Sequence, residues 1–205
     1  MPVVTAAALA LISAVLAACG GGSSKAAGTG SQAGATSNGG ASAGALSAES
    51  NSVATGDIPD SQVFLTFHDP SAGYSIVYPE GWAQRGAAGN VTFQDKNNVI
   101  HIVVSRGPTP VPATLAAELA SQRQRQPTLT FGSPSTMSIA GTPVLKVSYS
   151  TSSQPNPVTG KCVKLLVDRY VYSHAGKVAT VDLGTPSGVD NVDAYRNISH
   201  SLRWR

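Results

Sequence analysis

Few side chains of this 205-residue sequence could perform acid–base or metal chemistry, and they are scattered along the chain. The four histidines are His68, His101, His174 and His200. None of them stands in a His-x-x-x-His, Glu-x-x-His or Cys-x-x-Cys spacing, which would indicate a preformed metal site. No Gly-x-Ser-x-Gly nucleophile elbow and no phosphate-binding glycine loop occurs either. The sequence therefore predicts no catalytic residue, no metal ligand and no cofactor.

His101, Asp168 and Arg169 form a weaker candidate binding set. All three lie inside strand-like segments, where a buried carboxylate is costly unless it is paired. Asp168 and Arg169 are adjacent, so in a strand they point to opposite faces and must find separate partners. We favour a structural ion pair for Asp168 and a hydrogen-bonded strand position for His101. If the three side chains met in one concave pocket, the hypothesis of an enzyme would gain support; if they are dispersed and already paired, that hypothesis fails.

The elements that must position these residues are mostly strands joined in hairpins. Apolar residues occupy both faces of segment 99–105, which predicts a central strand covered on both sides. Leucines four residues apart predict a helix over 113–126, and helical spacing of Val192, Tyr195, Ile198 and Leu202 predicts a closing helix over 190–203. The predicted strands are 63–67, 74–78, 91–94, 99–105, 136–139, 144–149, 162–172 and 177–183. This order predicts an α+β fold, an antiparallel β-sheet with helices on both faces.

Residues 1–56 differ in composition from the rest of the chain. They carry only two charged side chains, Lys25 and Glu49. Residues 20–56 are Gly, Ser, Ala, Thr and Asn without periodicity, which predicts a disordered linker with a mean span of roughly 35 Å. The remaining residues, 57–205, have the length of a single domain. They hold 13 Lys and Arg against 10 Asp and Glu, without the basic stripe of a nucleic-acid-binding surface.

The first nineteen residues contain an export signal. Residues 6–18 are almost uninterruptedly apolar, with the length of a signal-peptide core. The segment Leu16-Ala-Ala-Cys19-Gly20 resembles the lipobox of bacterial lipoproteins, although no Lys or Arg precedes the apolar run. By this resemblance Cys19 becomes the lipidated N-terminus, anchored in the cell membrane on its extracytoplasmic side. Cys162 would then have no cysteine partner within the chain, and we expect it to be buried as a small apolar side chain.

The segment Gly73-Tyr-Ser-Ile-Val-Tyr-Pro-Glu-Gly-Trp82 resembles the opening of PsbP-like domains. That opening has an Asp-Pro turn, here Asp69-Pro70, then a strand ending in Tyr-Pro-x-x-Trp. A looser match continues through Arg169-Tyr-Val-Tyr172 to Ser201-Leu-Arg-Trp204. The resemblance implies an α/β/α sandwich around an antiparallel sheet. It implies no role, because this fold serves photosystem subunits, a Ran-binding factor and bacterial lipoproteins alike.

These observations predict a membrane-anchored lipoprotein that acts as a non-enzymatic binding or assembly module. Its expected partner is an envelope protein or a small apolar ligand, contacted through loops 84–90, 107–112 and 152–161. Nucleic acid is not an expected partner. The alternative is a hydrolase or metal-dependent enzyme with an unfamiliar site on the same sheet. A surface antigen or simple spacer is a third possibility.

Overall fold

The structure is a computed structural model that describes residues 56–156 and 158–205. The predicted signal peptide and almost all of the predicted linker lie outside the described residues. The strands are β1 (Phe64–Asp69), β2 (Tyr74–Pro79), β3 (Ala83–Ala87), β4 (Asn90–Asp95), β5 (Asn98–Arg106), β6 (Thr130–Phe131), β7 (Ser135–Ile139), β8 (Thr142–Ser152), β9 (Lys164–His174), β10 (Lys177–Pro186) and β11 (Arg203–Trp204). The helices are α1 (Pro112–Arg125) and α2 (Val192–His200).

The strands form two antiparallel sheets. The large sheet has the order β3-β4-β5-β10-β9-β8-β6, with β7 also paired to β8. The small sheet has the order β1-β2-β11. The predicted central strand is β5, which lies between β4 and β10, with Ile100 and Ile102 fully buried.

Two apolar clusters cover the two faces of the large sheet. On one face, called here the α1 face, Leu115 and Leu119 of the helix pack against side chains of β8, β9 and β10. The other face, called here the small-sheet face, carries the main core, where residues of β1, β2 and α2 pack on the large sheet. Helices therefore lie on both faces of an antiparallel sheet, as the sequence predicts. Because both clusters consist of described residues, this part of the chain contains its own core.

The turns follow from the residues that occupy them. The β9–β10 hairpin turns at Ala175 and Gly176, which both have positive φ, and such a two-residue turn matches the twist of the strands that it joins. Asp69 closes the β1–β2 turn by accepting hydrogen bonds from the backbone of Ser71 and Ala72 at 3.0 and 2.9 Å. The Asp-Pro and Ala-Gly pairs in the sequence therefore correctly indicate the turns after β1 and β9.

Several predicted bounds were wrong. The closing helix is nine residues long and stops at His200, because the chain then pairs as β11 with β2. Val192 was predicted to be buried, but its side chain is 70% exposed. Segment 84–90 was predicted as a loop, yet most of it forms the β3–β4 hairpin. Strand β9 begins at Lys164 rather than at residue 162.

Candidate binding groove

A groove of about 550 Å³ opens on the surface of the described residues. It lies on the small-sheet face, between the N-terminal end of α2 and the strands at the β8–β6 edge of the sheet. Apolar side chains exposed in it include Leu166, 44% exposed, and Val192, 70% exposed. The lining residues are Thr130, Phe131, Gly132, Ser148, Tyr149, Ser150, Lys164, Leu166, Val167, Asp168, Leu183, Thr185, Val189, Asn191, Val192 and Tyr195.

The polar groups of the groove are mostly hydroxyls and amides that are already hydrogen-bonded. Thr130 and Ser150 share a hydrogen bond of 2.7 Å between their hydroxyls. The Tyr195 hydroxyl donates to the Gly184 carbonyl, and burial raises the pKa of Tyr195, so this group stays a neutral donor. Lys164 and Asp168 are the charged residues in the lining. The groove therefore combines exposed apolar side chains with polar groups that mostly have hydrogen-bond partners already.

The only carboxylate of the lining, Asp168, is occupied by a structural ion pair. Its Oδ2 lies 2.8 Å from Nζ of Lys146, and its Oδ1 accepts a hydrogen bond from the Ser148 hydroxyl. Burial lowers the pKa of Lys146, but the hydrogen bonds that its ammonium donates to Asp168 and Tyr170 outweigh burial, and the net pKa is raised. Lys146 therefore stays charged and neutralises Asp168 at neutral pH. The predicted ion pair of Asp168 is confirmed.

A buried amide network joins the start of the folded part to the end of the groove. The Asn191 amide nitrogen donates to the carbonyl of Gly56, to Oδ1 of Asn98 and to the Thr185 hydroxyl, at 2.9 to 3.2 Å. Its Oδ1 accepts from the backbone N–H of Ile58 at 2.8 Å. Asn98 and Asn191 are both buried. This network holds the chain at residue 56 beside Asn191, which itself lines the groove.

The three candidate residues from the sequence do not meet in one pocket. Arg169 and His101 both face α1, since each pairs in register with the same residue of β10, Asp182. Asp168 projects from the opposite face of the sheet, as adjacent strand residues must. The groove is lined by Asp168 but by neither of the other two. The condition that would have favoured an enzyme is therefore not met by this geometry.

Arg169 is the centre of a buried charge network. Its Nε and Nη2 donate to the two carboxylate oxygens of Asp182 at 2.7 and 2.8 Å, and its Nη1 donates to Glu118 of α1 at 3.0 Å. Its guanidinium also lies over the ring of Tyr149. Burial alone would lower the pKa of Arg169, but Asp182 outweighs burial and the net pKa is raised. The network links α1 to the sheet through Glu118, so these charged residues have a structural role.

His101 is a hydrogen-bonded strand residue. Its Nε2 lies 3.0 Å from Oδ1 of Asn90 on the neighbouring strand. The pKa of His101 is lowered, mainly because burial disfavours the charged imidazolium; nearby Asp182 opposes this shift and Arg169 adds to it. The imidazole is therefore neutral at neutral pH, and its ring nitrogen bonds across the β4–β5 pair.

The expectation for Cys162 was wrong. Its side chain is half-buried rather than buried, and it is not a free thiol in the structure. Cys19, the predicted lipidation site, lies outside the described residues. Among residues 56–156 and 158–205, no group of three His, Cys, Asp or Glu side chains is arranged to hold a metal ion. Within the same residues no helix is long and apolar enough to cross a membrane.

Sequence reasoning missed the groove. Two signals pointed to it in retrospect. Leu166 is an exposed apolar residue of a long strand, and Val192 follows the spacing of the buried ridge of α2 but stands at the first residue of the helix, where it is exposed. Neither signal is specific, since single exposed apolar residues are common. The groove arises only when the β8–β9 strands and α2 are brought together.

Comparison with known proteins identifies the fold. No family model and no curated protein matches the chain. Among solved structures, the cyanobacterial PsbP protein CyanoP of Synechocystis sp. PCC 6803 matches with a TM-score of 0.52 at 15% identity, covering 73% of this chain and 98% of CyanoP. This likeness shows the fold, and the chain has the predicted PsbP-like architecture.

Two further structures show weaker likeness. The Ran-binding protein Mog1p of Saccharomyces cerevisiae is 6% identical, with a TM-score of 0.46, and the match covers 70% of this chain and 96% of Mog1p. LpqN, involved in cell envelope biogenesis of Mycobacterium tuberculosis, is 16% identical, with a TM-score of 0.43, and the match covers 70% of this chain and 91% of LpqN.

Proposed function

We propose that this PsbP-like chain is a lipoprotein, anchored at the outer side of the cell membrane through Cys19, whose folded part binds a small apolar ligand without catalysing a reaction. The groove beside α2 is the proposed binding site. An accessory role in the cell envelope follows from this location, and the ligand or an envelope protein would be its partner.

The groove is the observation that supports a binding role. Its volume of about 550 Å³ falls within the range of roughly 300–1,000 Å³ for small-molecule sites. Its lining holds no histidine, cysteine or glutamate, and its one carboxylate is bound by Lys146 and Ser148.

The anchor is supported by the sequence around Cys19 and by the linker that follows it. Each methylene of an acyl chain that enters the membrane contributes about 0.8 kcal/mol. A flexible linker of 20–56 would give the folded part a reach of roughly 35 Å. The chain enters the fold at Gly56, beside the groove, so the proposed ligand site would lie at the linker-attached end of the domain.

Binding can be tested with Nile red, a neutral apolar dye, and a chain of residues 20–205, which keeps every described residue. We expect saturable fluorescence enhancement that Val192→Glu abolishes. Val192 is 70% exposed at the first turn of α2, where a carboxylate suits the helix dipole, so this variant should fold. Val158→Glu is the matched control, since Val158 is 90% exposed and lies outside the groove. Equal dye binding by both variants would contradict the proposal.

The anchor can be tested on the full chain expressed in its native membrane. Intact-mass analysis should give a mature chain beginning at Cys19 with acyl groups attached, recovered in the membrane fraction. Cys19→Ala should leave the protein unprocessed or released. A mature protein in which Cys19 carries no lipid, including one in which its sulfur is bonded to Cys162, would contradict the anchor.

The choice between a small ligand and an envelope protein can be made by cross-linking in intact membranes followed by mass spectrometry. If a protein cross-links stoichiometrically to the parent chain and equally to Val192→Glu, that partner binds elsewhere on the surface, for example at loops 107–112 or 152–161. A small molecule that copurifies with the parent chain and is lost in Val192→Glu would support the groove as its site.

A further inference from the structure

A second cavity is small, about 220 Å³, and lies where the end of β5 meets the beginning of β10. The β1–β2 turn and the β3–β4 turn form its sides. The backbone N–H of Val104 donates to the carbonyl of Gly89 at 2.7 Å, which fixes the β3–β4 turn against β5. The lining residues are Ser71, Ala72, Ala88, Gly89, Val104, Ser105, Arg106 and Lys177.

Two cations stand side by side in this cavity. Arg106 of β5 and Lys177 of β10 are directly opposite each other in the ladder, so their side chains leave the sheet on the same face with β-carbons roughly 5 Å apart. Like charges directly opposite in a sheet are destabilising. Their juxtaposition therefore calls for a compensating negative charge.

Neither cation forms an ion pair with any described residue. The half-buried side chain of Lys177 donates to the carbonyl of Ala72 at 2.8 Å, while the exposed side chain of Arg106 has no hydrogen bond with any described residue. No carboxylate lines the cavity. The buried carboxylate of Asp69 lies behind the cavity wall, where it accepts from the backbone N–H groups of Ser71, Ala72 and Gly89 and forms no ion pair with either cation.

We propose that this cavity binds a phosphate group, held between Arg106 and Lys177. A guanidinium and an ammonium together balance the charge of a phosphate dianion, and charge-assisted hydrogen bonds to its oxygens are strong. Ser71 lines the same cavity, and its hydroxyl is a further donor for a group with several acceptor oxygens. The phosphate could belong to a soluble molecule or to a lipid headgroup, and the same residues would recognise either.

The phosphate site is separate from the groove. Asn98, which belongs to the amide network beside the groove, begins β5, and Arg106 ends it. Eight residues of extended strand span roughly 27 Å. The two sites therefore lie toward opposite ends of the large sheet, and the loss of one should leave the other intact.

The test is a titration of residues 20–205 with inorganic phosphate. Two-dimensional NMR monitors the backbone amide signals of Ser71, Ala72, Gly89 and Ser105 during the titration. We expect saturable shifts, weakened about tenfold or more in Arg106→Gln, because a charge-assisted bond is lost. Arg85→Gln, which removes one exposed arginine of β3 outside the cavity, should bind phosphate like the parent. Nile red binding should be unchanged in both variants.

A second experiment separates the two sources of phosphate. Vesicles of phosphatidylglycerol that retain the parent chain but not Arg106→Gln would assign the site to lipid headgroups, whereas phosphate binding without vesicle retention would assign it to soluble phosphates. Shifts that do not saturate, or that Arg106→Gln and Arg85→Gln reduce equally, would overturn the proposal.

Discussion

The guanidinium of Arg169 and the carboxylate of Asp182 face each other from neighbouring strands, with 2.7 Å between Nε and Oδ1 and 2.8 Å between Nη2 and Oδ2. Both residues are less than a tenth exposed. This bidentate pair lies under α1, whose Glu118 supplies a third bond to the same guanidinium. A buried pair of this kind specifies how the helix sits on the sheet, although each charge depends on the other for compensation.

Replacing Arg169 by methionine should therefore destabilise the fold strongly. The variant leaves Asp182 buried without its partner, which costs about 3–5 kcal/mol of the free energy of unfolding. Urea unfolding followed by circular dichroism measures this change. The double variant Arg169→Met/Asp182→Leu should recover much of the loss, because no buried charge is left uncompensated and Glu118, whose side chain is 53% exposed, is hydrated.

Lys146→Met is the matched control for that experiment. Lys146 pairs with Asp168 on the other face, but both side chains are about one-third exposed, so water screens the pair and its loss should cost less than about 1 kcal/mol. If Arg169→Met lowered the free energy of unfolding no more than Lys146→Met does, the buried network would contribute little to stability.

The stability of the protein should fall at mildly acidic pH because of His101. Burial lowers the pKa of His101 in the folded state, while in the unfolded chain it has its ordinary value of about 6.5. Below that value the unfolded chain binds a proton that the folded state resists, so the free energy of unfolding decreases as pH falls. Above it both states are neutral and His101 adds no pH dependence.

The comparison that isolates this effect is parent against His101→Gln, with unfolding measured from pH 8 to pH 5. Glutamine can still donate to Asn90, and the other three histidines are common to both proteins. The parent should lose stability relative to the variant as pH falls through about 6.5. A constant difference between the two proteins over this range would contradict the role of His101.

Asp69→Ala should loosen two turns at once. The carboxylate accepts from Ser71 and Ala72 within its own turn, and its Oδ2 accepts from Gly89 of the β3–β4 turn at 2.7 Å. Unsatisfied donors cost about 1–3 kcal/mol each when they are buried, so we expect a loss of at least about 2 kcal/mol, measured by chemical denaturation. Asp69→Asn keeps one carbonyl acceptor and should lose less. If both variants lost the same amount, the individual hydrogen bonds would not be the cause.

Gly86→Ala should be far more damaging than Gly81→Ala. Both glycines have similar positive φ values, 96° and 88°, so both substitutions carry backbone strain. A β-carbon at Gly86 would lie 2.2 Å from the carbonyl oxygen of Asn90, whereas a β-carbon at Gly81 meets nothing within 4 Å. The difference in thermal midpoint between the two variants therefore measures the clash in the β3–β4 hairpin. Equal midpoints would mean that the hairpin shifts to accommodate the methyl group.

Local patterns predicted the longer elements well. Strand β5, the β9–β10 hairpin and helix α1 all follow from alternation, turn residues and leucine spacing, since these signals act between near neighbours in the chain. Strand β3 escaped prediction because its residues are small or polar and all exposed. Strands β6 and β11 are two residues long and exist only through pairing with strands that are not their neighbours in the chain. The lipobox at Cys19 and the linker remain predictions from sequence.

The sequence by itself determined that Asp168 and Arg169 point to opposite faces, because alternation is a property of any strand. Only the tertiary structure decided their partners. The register of the strand pairs places Asp182 of β10 between His101 of β5 and Arg169 of β9. On the other face, Asp168 forms its ion pair with Lys146 of the neighbouring strand β8. The groove and the paired cations of Arg106 and Lys177 were invisible in the sequence for the same reason. Both features bring together residues that are far apart in the chain, and local sequence patterns do not predict which distant residues come into contact.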